Sequence, residues 1–130
     1  MKIKVSEAEG IALDWMVAKA EGFAIYHDAV LNGDMKEGFW LSGYFPMNPN
    51  MWIQLSGYSP STRWPQCGPI IEREGIELGK TYDGWAAKLD LDEGDAMIET
   101  QYGPTPLIAA MRCYVASKLG EEVDVPEEQL

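Results

Sequence analysis

Positive charge is scarce in this chain. Its 130 residues hold ten Lys and Arg against twenty-one Asp and Glu, a formal net charge of −11 with a single His. Affinity for duplex nucleic acid comes largely from cations that neutralise phosphates, so this balance excludes a duplex-binding role and leaves room only for a local basic pocket. Cysteine is scarce as well. Cys67 and Cys113 are too few for a disulfide framework and lack metal-ligand spacing, so both read as reduced thiols. Long apolar runs are missing. None approaches the roughly 18 residues of a membrane span, and Met1-Lys2-Ile3-Lys4-Val5 leads into no signal-peptide core. These absences predict a soluble acidic protein of the cytoplasm, without membrane partner, metal or cofactor.

What is present supports a core. Apolar residues make up 46%, with five Trp and six Tyr, which argues against disorder despite the charge. A domain of this length hides roughly 68% of its unfolded surface. Ser6-Glu7-Ala8-Glu9 has the form of a capping box and opens a helix expected over Glu7 to Glu21. Two antiparallel strands follow, Phe23 to Leu31 and Gly38 to Phe45, around the turn Asn32-Gly33-Asp34. Met51 to Leu55 reads as a short strand. A helix ending at Gly75 comes next, capped by Ser61 or Thr62, with Pro69 forcing a kink or restart. Further strands are expected at Thr81-Tyr82, Trp85 to Leu89 and Ala96 to Thr100, with Asp90 to Asp95 as an acidic turn rather than a calcium loop. Thr105 caps a last helix with Pro106 in its first turn. The order predicts a single layered α+β domain over residues 1–120, a mainly antiparallel sheet covered by N-terminal, middle and C-terminal helices. Residues 121–130 read as an acidic, solvated tail.

Two Pro-bearing, Ser/Thr-centred helix starts are the candidate chemistry. One is Tyr58-Ser59-Pro60-Ser61-Thr62-Arg63-Trp64, the other Gly103-Pro104-Thr105-Pro106, and each offers first-turn N–H groups to an anion or polar ligand. For Ser61, Thr62 and Thr105, capping competes with ligand contact. Arg112 falls at the edge of the apolar arc formed by Leu107, Ile108, Met111, Val115 and Leu119, where a guanidinium needs either an acid or a bound anion; Arg63 and Arg73 are candidates to converge with it. Trp64 and Tyr58 are placed to stack on a planar ligand or simply to pack. His27 sits in an apolar stretch with no partner residues in view, and no Gly-x-Ser-x-Gly elbow accompanies the serines, so no catalytic set assembles.

The opening segment through Ala12-Leu13-Asp14-Trp15-Met16-Val17-Ala18-Lys19, Tyr58-Ser59-Pro60-Ser61-Thr62, Gly68-Pro69-Ile70-Ile71-Glu72-Arg73-Glu74 and Thr105-Pro106-Leu107-Ile108-Ala109-Ala110-Met111-Arg112 resemble the NinX-like proteins of lambdoid and P22-type phages. The resemblance spans nearly the whole chain; Arg63 departs from the Asp of the family pattern. A more distant similarity is to small phage α/β/α-sandwich domains, some of which sequester nucleotide signals of bacterial immunity. These resemblances imply a non-enzymatic accessory protein of the infected host's cytoplasm. Its ligand would be a small nucleotide-derived anion, held by Tyr58, Ser61, Thr62, Arg63, Trp64, Thr105 and Arg112, with a homo-oligomer as a possible assembly. The alternative is an acidic protein-interaction module or inhibitor of a nucleic-acid-processing protein.

Overall fold

The computed structural model describes residues 1–31, 33–45, 47–48, 51–90 and 98–127. Eight strands and three α-helices are laid down among them, giving the expected α+β class. The strands divide among three small antiparallel sheets rather than one. β1 (Lys2–Lys4) pairs with β8 (Glu122–Asp124), β2 (Ala24–Leu31) with β3 (Asp34–Ser42) and β3 with β4 (Trp52–Gln54), and β6 (Trp85–Asp90) lies between β5 (Glu77–Lys80) and β7 (Ile98–Gly103).

The helices are α1 (Gly10–Ala20), α2 (Trp64–Glu74) and α3 (Pro106–Leu119). α3 is the hub. It packs on β6 and β7 on one side and on α1 and α2 on others, so every residue from Ala109 to Ala116 is buried. The expected one-sided apolar arc is therefore too narrow, because a helix covered on several sides is apolar nearly all round. Val5, Leu13, Met16 and Val17 complete the core from the N-terminal segment, with Leu41 from β3 and Ala87 from β6.

Several local expectations are corrected. The capping box does not form: Val5–Glu7 make a 3-10 turn, and Glu9 precedes α1 without a side-chain cap. Tertiary partners take over, since Glu121 accepts the Val5 N–H and Arg112 donates to the Ala8 carbonyl. α2 begins at Trp64 after Arg63, with neither Ser61 nor Thr62 as cap, and runs on through Pro69. Gly75, in the left-handed region at φ 73, ends it without Cβ strain. Thr81-Tyr82 is turn rather than strand, the strand lying earlier at β5. The tail is not loose from residue 121: β8 pairs with β1, and Val123 and Val125 are buried. Its alternating Val residues turn inward while the acids face water. The turn expected over Asp90 to Asp95 lies, beyond Asp90, outside the described residues.

Candidate functional site

Among the described residues, the buried cation is positioned by α3. The Thr105 Oγ1 accepts the Ile108 N–H at 3.1 Å, and Pro106 occupies the first turn, so the predicted cap is in place. Two turns on, Arg112 is 8% exposed. Its Nε donates to the Ala8 carbonyl and its Nη1 to the Tyr102 carbonyl, each at 2.8 Å. No carboxylate among the described residues lies within 4.0 Å of it. Desolvation pushes its pKa below the ordinary guanidinium value, while Glu9 and Glu7 pull at longer range in the other direction. Two of the five guanidinium donors are thus used by neutral carbonyls, and among the described residues no anion contacts the charge.

A second cation stands nearby on the turn between β5 and β6. The Thr81 N–H donates to the Gly84 carbonyl at 2.9 Å and closes this turn. Lys80 Nζ donates to the carbonyls of Thr81 and Gly84 at 3.1 and 3.0 Å and lies 5.7 Å from the Trp85 ring centroid. Glycine makes the assembly close. A Cβ on Gly84 would stand 2.5 Å from the Gly103 carbonyl oxygen, and one on Gly103 would stand 2.8 Å from the Ala109 nitrogen. The turn, β7 and the first turn of α3 therefore meet backbone to backbone.

These elements enclose an open cavity of about 330 Å³ lined by Arg112, Trp85, Thr81, Asp83, Ser6 and Gln101, together with Tyr102, Gly103 and Pro104. It offers a buried guanidinium, an aromatic ring, hydroxyls and one carboxylate. Such a set suits an anionic group attached to a polar or planar body. Among the described residues there is no cluster of three metal-ligating side chains, and no helix is long and apolar enough to cross a membrane.

The seven residues singled out in the sequence do not form one site. Arg112 lines this cavity, and Thr105 stands beside its Pro104 wall with the hydroxyl engaged in the cap. Tyr58 is buried in a different place, edge-on to Phe23 and Tyr44 beside a separate cavity of about 280 Å³. Ser61 is also buried. Its N–H donates to Asp14 Oδ1 at 2.9 Å, while its hydroxyl lies near that carboxyl without a partner in hydrogen-bond geometry. Thr62, Arg63 and Trp64 are exposed at the start of α2 and do not line the Arg112 cavity.

Arg73 does not converge with Arg112 either. It ion-pairs with Glu21 and Glu74 and donates to the Tyr114 hydroxyl at 3.2 Å, with Lys118 completing the network 3.4 Å from Glu74. Its partners hold the Arg73 guanidinium above its usual range and Glu74 below the usual carboxylate range. His27 packs against Phe39 at 4.6 Å on β2. Burial pushes the Cys67 and Cys113 thiols up to about 12, so both stay protonated. Sequence reasoning missed Trp85, Tyr102 and the Thr81–Gly84 turn. Asp83-Gly84 was the available signal, since that pair favours a turn and argues against the strand expected just before it at Thr81-Tyr82.

Fold and cavity together define a class: a small α+β domain with an open cleft lined by a buried arginine and, among the described residues, no cluster of three metal-ligating side chains. Residues 4–118 match the family described as Bacteriophage P22, NinX, and the chain belongs to that family. No curated protein matches it.

Proposed function

We propose that this NinX-family phage protein binds a small nucleotide-derived anion in the Arg112 cavity and holds it without turnover, thereby withdrawing a signal of the infected cell. One observation carries the reading: Arg112 is buried, lines a cavity and, among the described residues, has no contacting carboxylate. A phosphoryl oxygen entering the cavity supplies the missing counter-charge, and the remaining guanidinium donors suit its geometry. Trp85 and the hydroxyls of Thr81 and Ser6 offer contacts to the rest of the ligand. The expected stoichiometry is one ligand per chain. Holding rather than converting fits a lining in which, among the described residues, Asp83 is the one carboxylate and neither His27 nor a cysteine takes part.

The test is calorimetric titration with cyclic mononucleotides, cyclic dinucleotides and ADP-ribose isomers. Arg112→Lys keeps the charge and loses the planar fork. At least one compound should bind the native chain, and this variant, with melting checked, should bind it tenfold or more weakly. Equal binding by the two would place the ligand elsewhere.

A second reading, an acidic protein-interaction module, draws on the β2–β3 hairpin. There Val30 and Met35 are cross-strand partners with 65% and 62% exposure, and Tyr26 is 48% exposed. Apolar groups left in water on a hairpin suit a protein partner. Failure of the whole panel to bind would favour it.

A further inference from the structure

The Arg112 cavity adjoins a second one of about 430 Å³, with which it shares Thr81 and Tyr102. The second cavity lies on one face of the β5–β6–β7 sheet. Gly79 is the cross-strand partner of Ala86, Ala86 is also opposite Tyr102, and Glu77 is opposite Lys88. Because alternate residues of a strand share a face, these five project to the same side. Gly79 and Ala86 have almost no bulk, so the middle of the face is a flat floor. Tyr102, 62% exposed, stands at one margin of this floor, with Lys88 and Glu77 at another.

We propose, building on the reading that Arg112 holds the anion, that this floor seats the planar ring of the same ligand: a nucleobase lies on Gly79 and Ala86 beside the Tyr102 ring, and its phosphate reaches Arg112. Tyr102 joins the two halves. Its side chain walls the floor, and its carbonyl accepts the Arg112 Nη1–H at 2.8 Å. α3 packs on the opposite face of the sheet, so the ligand would pass from the floor to the guanidinium along the margin that the two cavities share at Thr81 and Tyr102. A base stacks on any aromatic face without regard to sequence, and Lys88 with Glu77 present a donor and an acceptor to its edge. The ligand class is therefore a nucleoside phosphate rather than an inorganic or aliphatic anion.

Gly79 makes the inference testable with little risk to the fold. A Cβ there meets nothing within 4 Å, its φ is outside the left-handed region, and Val is favoured in strands. AMP, cyclic AMP and ADP-ribose, with inorganic pyrophosphate as the ring-free probe, would be titrated into the native chain, Gly79→Val and Arg112→Lys. The expected result is a tenfold or greater loss for the bound nucleotides with Gly79→Val at unchanged pyrophosphate affinity, and a loss for both ligand types with Arg112→Lys. Nucleotides that bind Gly79→Val undiminished but lose affinity with Arg112→Lys would overturn the seating of the ring while leaving the anion site standing. An equal fall of pyrophosphate and nucleotide affinity with Gly79→Val would also overturn it, because the substitution would then act through the anion. If the native chain binds neither nucleotides nor pyrophosphate, the ring seat and the anion site fall together.

Discussion

Asp14 shows what a single buried charge does here. It is 5% exposed on α1, and burial pushes its carboxyl up from 3.8 to about 6, against the lowering effect of the Ser61 N–H and the nearby Ser61 hydroxyl. A raised folded-state pKa means that the folded chain binds this proton more tightly than the unfolded chain does. The resulting stabilisation is full below about pH 3.8 and is lost as pH rises through about 6. Asp14→Asn keeps an acceptor for Ser61, so it should be more stable than the native chain at pH 7.5 by on the order of 2–3 kcal/mol, with the gap closing near pH 4. Urea melts of both proteins across that range check this; a gap independent of pH would contradict it. That Arg112 would need acceptors was legible, because a lone guanidinium in an Ala-rich apolar helix requires them wherever it lands, and it finds the carbonyls of Ala8 and Tyr102. Tyr58 and Ser61 were misjudged because their surroundings come from Phe23, Tyr44 and Asp14, all distant in sequence. Nor did any local pattern distinguish Trp85, which lines the cavity, from the packing tryptophans.

Elements whose signals are local were read well, and those decided by distant partners were not. Thr105-Pro106 starts α3 through a bond between neighbours, and Thr105→Ala should therefore cost about 1 kcal/mol, measured by thermal unfolding. Gly75 likewise ends α2 as expected, and does so in the left-handed conformation. The Ser6 to Glu9 box did not form: Val5–Glu7 make a 3-10 turn and α1 starts only at Gly10, while the Ala8 carbonyl between them is held by Arg112, 104 residues away. In the same way, the acid-rich composition of the last ten residues concealed the alternation Glu122-Val123-Asp124-Val125, whose Val side chains are 5% and 1% exposed. β8 closes on β1 through three paired positions, and the N-terminal ammonium meets Asp124 at 2.7 Å. A chain ending at Glu121 should lose about 2 kcal/mol or more, since burying one Val is itself worth about 1.5–3 kcal/mol. Unchanged unfolding of the shortened chain would show that β8 adds nothing to the fold. At the β7–α3 contact, Gly103→Ala should destabilise strongly, because its new Cβ would meet the Ala109 nitrogen at 2.8 Å.

Across the molecule, the charge of −11 is unevenly spread. Four of the ten Lys and Arg, namely Lys4, Lys80, Lys88 and Arg112, line three adjoining cavities, in company with Asp83, Glu77, Glu121 and Glu122. This region is thus close to neutral on an otherwise acidic protein, which disfavours long polyanions while leaving a small anion a route to Arg112. Because Arg112 is buried, salt should weaken ligand binding far less than it weakens surface ion pairs; titrations at 50 and 500 mM salt check this. The central claim, that the chain holds a nucleotide-derived anion and does not convert it, is tested most directly by depletion and recovery. Purified protein is equilibrated with cyclic nucleotides and ADP-ribose isomers, separated from the free pool, and heat-denatured, and the released material is identified by chromatography and mass. The account predicts one compound withdrawn at one molecule per chain and returned with its mass and retention unchanged. Recovery of an altered product, or no withdrawal from the panel, would contradict it.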